Sequence, residues 1–561
     1  MTLDPYMEDD VVKKDKNIAW RLYGAGLERL RRDEIAIPEP GDEEIVIRID
    51  AVGLCFSDIK IIRAGAAHPK LWWQNLGEHP LIPGHEVACT VVKAGKKVPK
   101  EYSMQGSRYL IQCDIYIKGR SCAFGYGMDG AYVQYGIIDA RVWRGEGRSY
   151  LLPFRDELSN VATALIEPWS CVRGAYRLKY RNAPVPGGKV LIVGDEGSGE
   201  KYFAGDLLKA AKPSVVAVLG VPEADVKHFE AELGVKCRHL TEFSADEKFD
   251  DIFCLDVVHS SLVGHAAELA ARFGMVNFIG RTPRARCPID VGALHYQNRY
   301  YQGGASRDLS APYRDAKRNT IKPGGAAWFP GGAGAMGQMH VELAVTAAEP
   351  PAKILVTDLD DRRIAHLQKR LAARAKKRGI EFRCFNPAKL SEDEYVQTLH
   401  DFAPAGFDDV VVLVPHAEVV SFASKFLGDG ALVNMFAGIP AGEAAKLSVR
   451  DIAKHGVRYI GSSGSTFDDM ADTLRAGAEG EFQPVAALAA VGGMNALKQG
   501  LEAVAAGSFC GKTAILPQCP DLPLTEVDKL GELDPELPGT LDKDGNYTIA
   551  TEKMLLEKWG K

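Results

Sequence analysis

The sequence predicts an α/β protein: an irregular β domain followed by two tandem doubly wound parallel-sheet units. Three observations predict it. Up to about residue 185 the chain carries short β signals, as in "EEIVIRIDAVGLC" and "HEVACTVVKAGKKV". From Gly187 short apolar runs alternate with helical patterns, "KVLIVG", "SVVAVLG", "FDDIFCLDVV" and "GMVNFIG", the rhythm of a parallel sheet covered on both faces. That rhythm restarts at about Lys322 with "AWFPGG", "KILVTDL", "FDDVVVLV" and "ALVNMFAG". The two passes echo each other in order. "FDDIF" at Phe249 matches "FDDVV" at Phe407, "GMVNFIG" at Gly274 matches "ALVNMFAG" at Ala431, and "NRYYQGGAS" at Asn298 matches "VRYIGSSGS" at Val457. Ordered echoes read as an internal duplication.

The chain has 561 residues, 46% of them hydrophobic and 25% charged, with a net charge of −6. That is too long for one compact unit and fits about three domains. The boundaries expected are 1–186 for the first part of the β domain, 187–320 and 321–479 for the two sheet units, and 480–561 for a return to the first domain plus a tail. In the tail, "TLDKDGNYTI" reads as a hairpin on Asp544-Gly545. No basic run suggests a nucleic-acid surface. The N-terminus "MTLDPYMEDDVVKKDKN" has no signal-like apolar core. No apolar run reaches the roughly 18 residues of a membrane span. Eleven cysteines lack paired spacing. The expectation is a cytoplasmic protein that binds neither nucleic acid nor membrane.

Chemistry enters with "GLCFSDIK", which places Cys55, Ser57 and Asp58 in a turn after a strand. "PLIPGHEV" then brings His85 and Glu86, and "LIEPWSCV" brings Glu167 at a helix start. A thiolate, an imidazole and a carboxylate suit a catalytic zinc with one coordination position left open.

The pattern resembles the medium-chain dehydrogenase/reductase superfamily, the zinc alcohol and polyol dehydrogenases. The pieces that carry the resemblance are "GLCFSD", "PGHE", "GMDGAYVQY", "EPWSC", the Gly332 to Gly337 loop and "GSSGSTFDDM". "YLIQCDIYIKG" and "GHEVACTVVKAGKK" look most like the sorbose-1-phosphate reductase branch. The resemblance implies a GroES-like catalytic domain, with Rossmann-type domains for the two sheet units. It implies Cys55 and His85 as zinc ligands, with Glu86 and Glu167 both at carboxylate-ligand positions. It implies that Ser57 touches the substrate oxygen and relays its proton, and that Asp58 orients the histidine. The four-cysteine structural-zinc lobe of many relatives is missing. Only Cys113 and Cys122 occur between Gly106 and Gly130, so one zinc per chain is expected. Lys60 stands where many relatives place a relay histidine. It can relay a proton, hold an anionic substrate group, or be a solvated surface lysine.

The second glycine loop, Gly332-Ala-Gly334-Ala335-Met336-Gly337, is a complete G-x-G-x-x-G between a strand and a helix. About twenty residues on, "KILVTDLDD" ends a strand in Asp358, whose carboxylate suits a ribose and repels a 2′-phosphate. NAD is therefore expected over NADP. In the first loop, Gly194 to Gly199, the middle position is Glu196, and Leu219-Gly220 stands where the ribose acid belongs. The first unit is expected to keep the fold without NAD. Relatives of this type dimerise by pairing the edge strands of two cofactor domains. The resemblance thus implies a homo-oligomer or, with two units in one chain, pairing of "NRYYQGG" with "VRYIGSS" internally. The expected activity is zinc-dependent hydride transfer between NAD and a secondary alcohol or ketone of a sugar, polyol or sugar phosphate. The rivals are a threonine-dehydrogenase-like amino-alcohol dehydrogenase and a redox-silent nucleotide-sensing scaffold.

Overall fold

The computed structural model describes residues 16–73, 75–178, 180–195, 201–314 and 317–560. Two compact units emerge, residues 1–174 with 464–561, and residues 175–463. The two sheet units expected as separate domains thus form one body. The return to the first unit comes at 464, ahead of the expected 480.

The first unit is built on an eight-stranded sheet. Its central strand β1 (Ile45–Leu54) leads into helix α1 (Phe56–Ala64). Antiparallel to β1 runs β2 (Glu86–Ala94), which pairs in turn with β3 (Arg108–Ile111). The hairpin β4 (Tyr116–Ile117) and β5 (Arg120–Ser121) follows, then helices α2 (Asn160–Ala164) and α3 (Ile166–Ala175). All ten residues of β1 are buried, although its pattern alternates. Its polar positions are neutralised inside: Arg48 Nε donates to Asp50 at 2.7 Å, and Thr90 Oγ1 to Asp50 at 2.5 Å. On the other side of β1 the strand Lys512–Leu516 pairs antiparallel to it, bringing the C-terminal part of the chain into the same sheet. The tail turns at Asp542–Asn546, but no strands flank the turn. It runs instead into the helix Ile549–Trp559, capped by Thr548.

The second unit holds a twelve-stranded sheet. Its first half comprises β6 (Lys189–Gly194), β7 (Val215–Leu219), β8 (Cys237–His239), β9 (Phe249–Leu255), β10 (Ala270–Ile279) and β11 (Tyr300–Gly304). The second comprises β12 (Ala326–Pro330), β13 (Lys353–Thr357), β14 (Glu381–Phe385), β15 (Phe407–Val412), β16 (Leu427–Met435) and β17 (Arg458–Gly461). Across the sheet the order is β8-β7-β6-β9-β10-β11-β17-β16-β15-β12-β13-β14. Each half is the dinucleotide-fold order 3-2-1-4-5-6, and the second is the mirror of the first about the centre. The halves meet where β11 and β17 pair antiparallel, Tyr301 opposite Tyr459. Alternate residues of β6 enter different cores, Val190 and Ile192 one, Leu191 and Val193 the other, so both faces are covered.

The duplication extends to side chains. Arg181 pairs with Asp251, whose other oxygen accepts the Val185 N–H at 2.9 Å. Arg318 pairs with Asp409, whose other oxygen accepts the Lys322 N–H at 2.8 Å. Asp250 takes the Lys189 N–H at 2.8 Å, and Asp408 the Ala326 N–H at 2.9 Å. The same bulge follows Phe249 and Phe407. Among the described residues no helix is long and apolar enough to cross a membrane.

Candidate active site

The thiol is positioned by the chemistry of a helix start. Cys55 caps α1, its sulfur accepting the Ser57 N–H at 3.5 Å, while the Asp58 carboxylate returns to the Cys55 N–H at 3.0 Å. This is a capping box with sulfur in place of a hydroxyl. His85 and Glu86 follow a turn at Gly84, where φ is +98° and a Cβ would lie 2.4 Å from the Tyr132 ring. Only glycine fits there. Ligand atoms of Cys55, His85 and Glu86 all lie within 4.8 Å of one another.

Asp58, fully buried, joins the parts. It accepts from His85 Nδ1 at 2.9 Å and from the Tyr132 hydroxyl at 2.7 Å. The bond to Nδ1 leaves Nε2 as the coordinating nitrogen. Burial opposes protonation of His85, but the Asp58 carboxylate and the Cys55 sulfur raise its pKa well above the usual imidazole value. A metal ion would displace that proton.

Glu86 is fully buried as well. One carboxylate oxygen accepts from Lys512 Nζ at 2.5 Å; the other, Oε2, is buried with no hydrogen-bond partner. Lys512 also donates to the Leu54 carbonyl at 3.0 Å. Burial opposes its charge, yet Glu86 holds its pKa above the usual lysine value. Opposite Glu86 on β1 stands Gly53, where a Cβ would lie 2.0 Å from Oε2. An orphaned carboxylate oxygen beside a thiol and an imidazole is a donor set that fits a tetrahedral zinc.

Glu167 lies in the first turn of α3 and does not join that close set. Its Oε1 accepts from the Cys113 and Cys171 thiols at 3.5 and 3.6 Å. Burial pushes its carboxyl up to about 7, with His85 opposing and Glu86 adding to the rise. Of the two carboxylates, Glu86 is the one that meets Cys55 and His85. Ser57 is half-buried on α1, and Lys60 is exposed one turn later. Sequence reasoning missed Lys512. Its signal was a cation heading the apolar run "KTAIL", a position that needs a buried partner.

In the second unit the Gly332–Gly337 loop behaves as its spacing requires. A Cβ on Gly337 would meet Gly331 O and Gly332 Cα at 2.7 Å, so this glycine lets helix and strand pack. A Cβ on Gly334 would meet only Gly331 O, at 3.5 Å, so the middle glycine borders open space. Helix α4 (Ala335–Thr346) starts there with no side-chain cap, its first N–H groups available to a phosphate. Asp358 accepts the Ala333 N–H at 3.2 Å and the Asp360 N–H at 3.1 Å, which fixes it at the loop. Ala335 and Met336 open the helix.

The first unit's loop differs. Glu196, Gly197, Ser198, Gly199 and Glu200 lie outside the described residues. Asp195 is described: its carboxylate accepts the Val258 and His259 N–H groups, each at 3.0 Å, and contacts His259 Nδ1 at 2.6 Å. A protein carboxylate thus sits before the helix Ser260–Glu268.

The alcohol dehydrogenase GroES-like domain family matches residues 41–144, the stretch that carries Cys55, His85 and Glu86. The chain is 27% identical over 324 residues to L-sorbose 1-phosphate reductase of Klebsiella pneumoniae, covering 52% of this chain and 77% of that protein. The GroES-like domain match and the alcohol and polyol dehydrogenase relatives support placing the chain with the medium-chain dehydrogenase/reductase superfamily. Mannitol-1-phosphate 5-dehydrogenase of Aliivibrio fischeri is 32% identical over 251 residues, 42% of this chain and 57% of that protein. A protein of Escherichia coli K12 titled "Uncharacterized protein YggP" is 23% identical over 552 residues, 96% of each chain. That match spans both halves of the twelve-stranded sheet. Among solved structures, 2R,3R-butanediol dehydrogenase from Bacillus subtilis superposes with a TM-score of 0.52 at 14% identity, covering 89% of this chain and 99% of that one. Superfamily members are oxidoreductases built from a GroES-like and a Rossmann domain; this chain carries a second Rossmann-type half.

Proposed function

We propose that the protein is a zinc-dependent, NAD-linked dehydrogenase. It moves a hydride between NAD and a secondary alcohol or ketone of a sugar, polyol or sugar phosphate. The observation that carries this is the meeting of Cys55, His85 and Glu86, with Glu86 Oε2 buried and unpartnered among them. The polyol-phosphate relatives support the substrate class. Zinc held there would act as a Lewis acid on the substrate oxygen. NAD would supply or accept the hydride. Ser57 accepts the hydroxyl proton and passes it outward. Asp58 holds His85 in the coordinating tautomer, and Lys512 holds one oxygen of Glu86 so that the other faces the metal. The Gly332–Gly337 backbone takes the pyrophosphate, and Asp358 takes the adenosine ribose. Asp195 supports one NAD per chain, because its carboxylate uses amide donors in the first half and adds negative charge there. With β11 and β17 paired inside the chain, the edge contact that dimeric relatives make between subunits is made within one polypeptide.

Metal analysis and NAD reduction on a panel of polyols and sugar phosphates test the reading. We expect one zinc per chain, lost in Cys55→Ala and His85→Ala together with turnover. Two zincs per chain, or full activity after verified metal removal, would overturn it.

A further inference from the structure

We propose that Tyr132 is a positioning residue for the metal set: its hydroxyl holds Asp58, and through Asp58 it holds His85 at a fixed angle to Cys55. The proposal rests on the zinc reading and adds a residue to it. Tyr132 belongs to a stretch laced to the turn that presents His85. The Gly130 N–H donates to the Ile82 carbonyl at 2.7 Å, the Ala131 N–H to the Gly84 carbonyl at 2.9 Å and the Tyr132 N–H to the Pro83 carbonyl at 2.9 Å. The Tyr132 ring lies against Gly84, in the space that a Cβ there would need. The hydroxyl reaches the other ligand-bearing segment. It donates at 2.7 Å to Oδ2 of Asp58, in the first turn of the helix that Cys55 caps.

The donors on Asp58 have different reach. The Cys55 N–H, at 3.0 Å from Oδ2, ties the carboxylate only to its own helix start. His85 Nδ1, at 2.9 Å from Oδ1, is the group to be positioned. Tyr132 is the donor anchored by its backbone to the His85 turn, so it fixes the carboxylate relative to that turn. Asp58 is fully buried and has no water to replace a lost donor. Bonds to such a carboxylate are charge-assisted and strong. Without the hydroxyl, Oδ2 keeps only the Cys55 N–H. The carboxylate can then turn about its side-chain torsions, and the imidazole bonded to it turns as well. Tyr126 does not replace Tyr132. Its hydroxyl stands 3.5 Å from His85 Nδ1, farther than the Asp58 oxygen, and approaches the ring rather than the carboxylate.

Tyr132→Phe separates the two contributions, because it keeps the ring against Gly84 and removes the hydroxyl. Zinc affinity, measured by competition with a chromogenic chelator, is expected to fall about 10–100-fold, the usual effect of losing an outer partner of a metal-binding histidine. Asp58→Ala and the double variant complete a cycle. If the hydroxyl acts through Asp58, adding Tyr132→Phe to Asp58→Ala should change zinc affinity less than about threefold. With cobalt in place of zinc, the ligand-field bands of Tyr132→Phe are expected to shift from those of wild type, since the imidazole has turned. Unchanged zinc affinity in Tyr132→Phe would overturn the proposal. So would an equal loss with and without Asp58, which marks a general packing effect, or a cobalt spectrum identical to that of wild type. If Asp58→Ala does not fold, the cobalt spectrum of Tyr132→Phe decides alone. Zinc affinity indifferent to Cys55→Ala would overturn the metal reading and this proposal together; affinity that depends on Cys55 but not on Tyr132 would overturn this proposal alone.

Discussion

Replacing Lys512 by methionine probes the metal set through a residue outside the proposed ligands, one that holds Glu86. The Lys512 and Glu86 side chains are only 4% and 0% exposed, and their charged atoms stand 2.5 Å apart. Removing one partner of a buried ion pair costs about 3–5 kcal/mol, because the remaining charge has no solvent. In metal-free protein Lys512→Met should lose that amount. Zinc changes the sum. A dication beside Glu86 Oε2 supplies counter-charge to the same carboxylate, so zinc-loaded Lys512→Met should lose less, by at least about 1.4 kcal/mol, a factor of ten in the folding constant. By linkage the variant should bind zinc more tightly than wild type by the same factor. Adding Glu86→Gln removes the orphaned charge and should restore part of the metal-free stability. Denaturant midpoints measured with chelator and with excess zinc give all four corners of the cycle. An equal loss in both conditions would show that Glu86 does not face the metal, and the proposed ligand set would fall.

Ser57→Ala should lower turnover by about 10²–10⁴-fold while sparing NAD affinity, since it interrupts proton transfer alone; an unchanged rate with hydride transfer limiting would place the proton elsewhere. Gly334→Asp should abolish NAD binding with little loss of stability, because its Cβ has room. Gly337→Ala should cost stability first, and calorimetry showing a second equivalent NAD site in wild type would reverse the assignment of the halves. Glu552, from the C-terminal helix, accepts the Asn160 and Val161 N–H groups at 2.8 and 2.9 Å. Burial pushes its carboxyl up from 4.5 to about 7, the two N–H groups opposing. The folded state therefore binds this proton more tightly than the unfolded chain, and the associated stability is full below the unfolded pKa and lost as pH rises through 7. Between pH 4.5 and 7.5 wild type should lose about 3 kcal/mol relative to Glu552→Gln, read from urea unfolding at each pH; a constant difference would refute it.

The sequence made the metal set legible because a capping box and a glycine turn are local. Cys55 and Asp58 are three residues apart, and Gly84 precedes His85. Lys512 was not legible, since it reaches Glu86 from 426 residues away and only the sheet brings them together. The choice between Glu86 and Glu167 was equally non-local. It depends on Cys113 and Cys171, on β3's exit and on α3, which engage Glu167 and leave Glu86 to the thiol and imidazole. The tail shows the opposite failure. Asp544-Gly545 does turn, but its neighbours have no strand to pair with, and Thr548 starts a helix instead.

What the two halves of the sheet kept, and what they did not, separates two constraints. Both retain the arginine that clamps an aspartate at the head of the fourth strand, and both retain the bulge beside it. These features serve strand register, which every sheet of this order needs. The residues that would meet a dinucleotide diverge. Ala333 in the second loop offers its N–H to Asp358. In the first loop, Asp195 turns its carboxylate onto the start of the helix Ser260–Glu268 and takes two N–H donors there. The N–H groups at a helix start need an acceptor from water, a side chain or a ligand. At Val258 and His259 the Asp195 carboxylate supplies that acceptor. The acidic loop is thus physically consistent with a half retained for its edge strand, which pairs at Tyr301 with Tyr459 and closes the sheet of the half that keeps the open glycine loop.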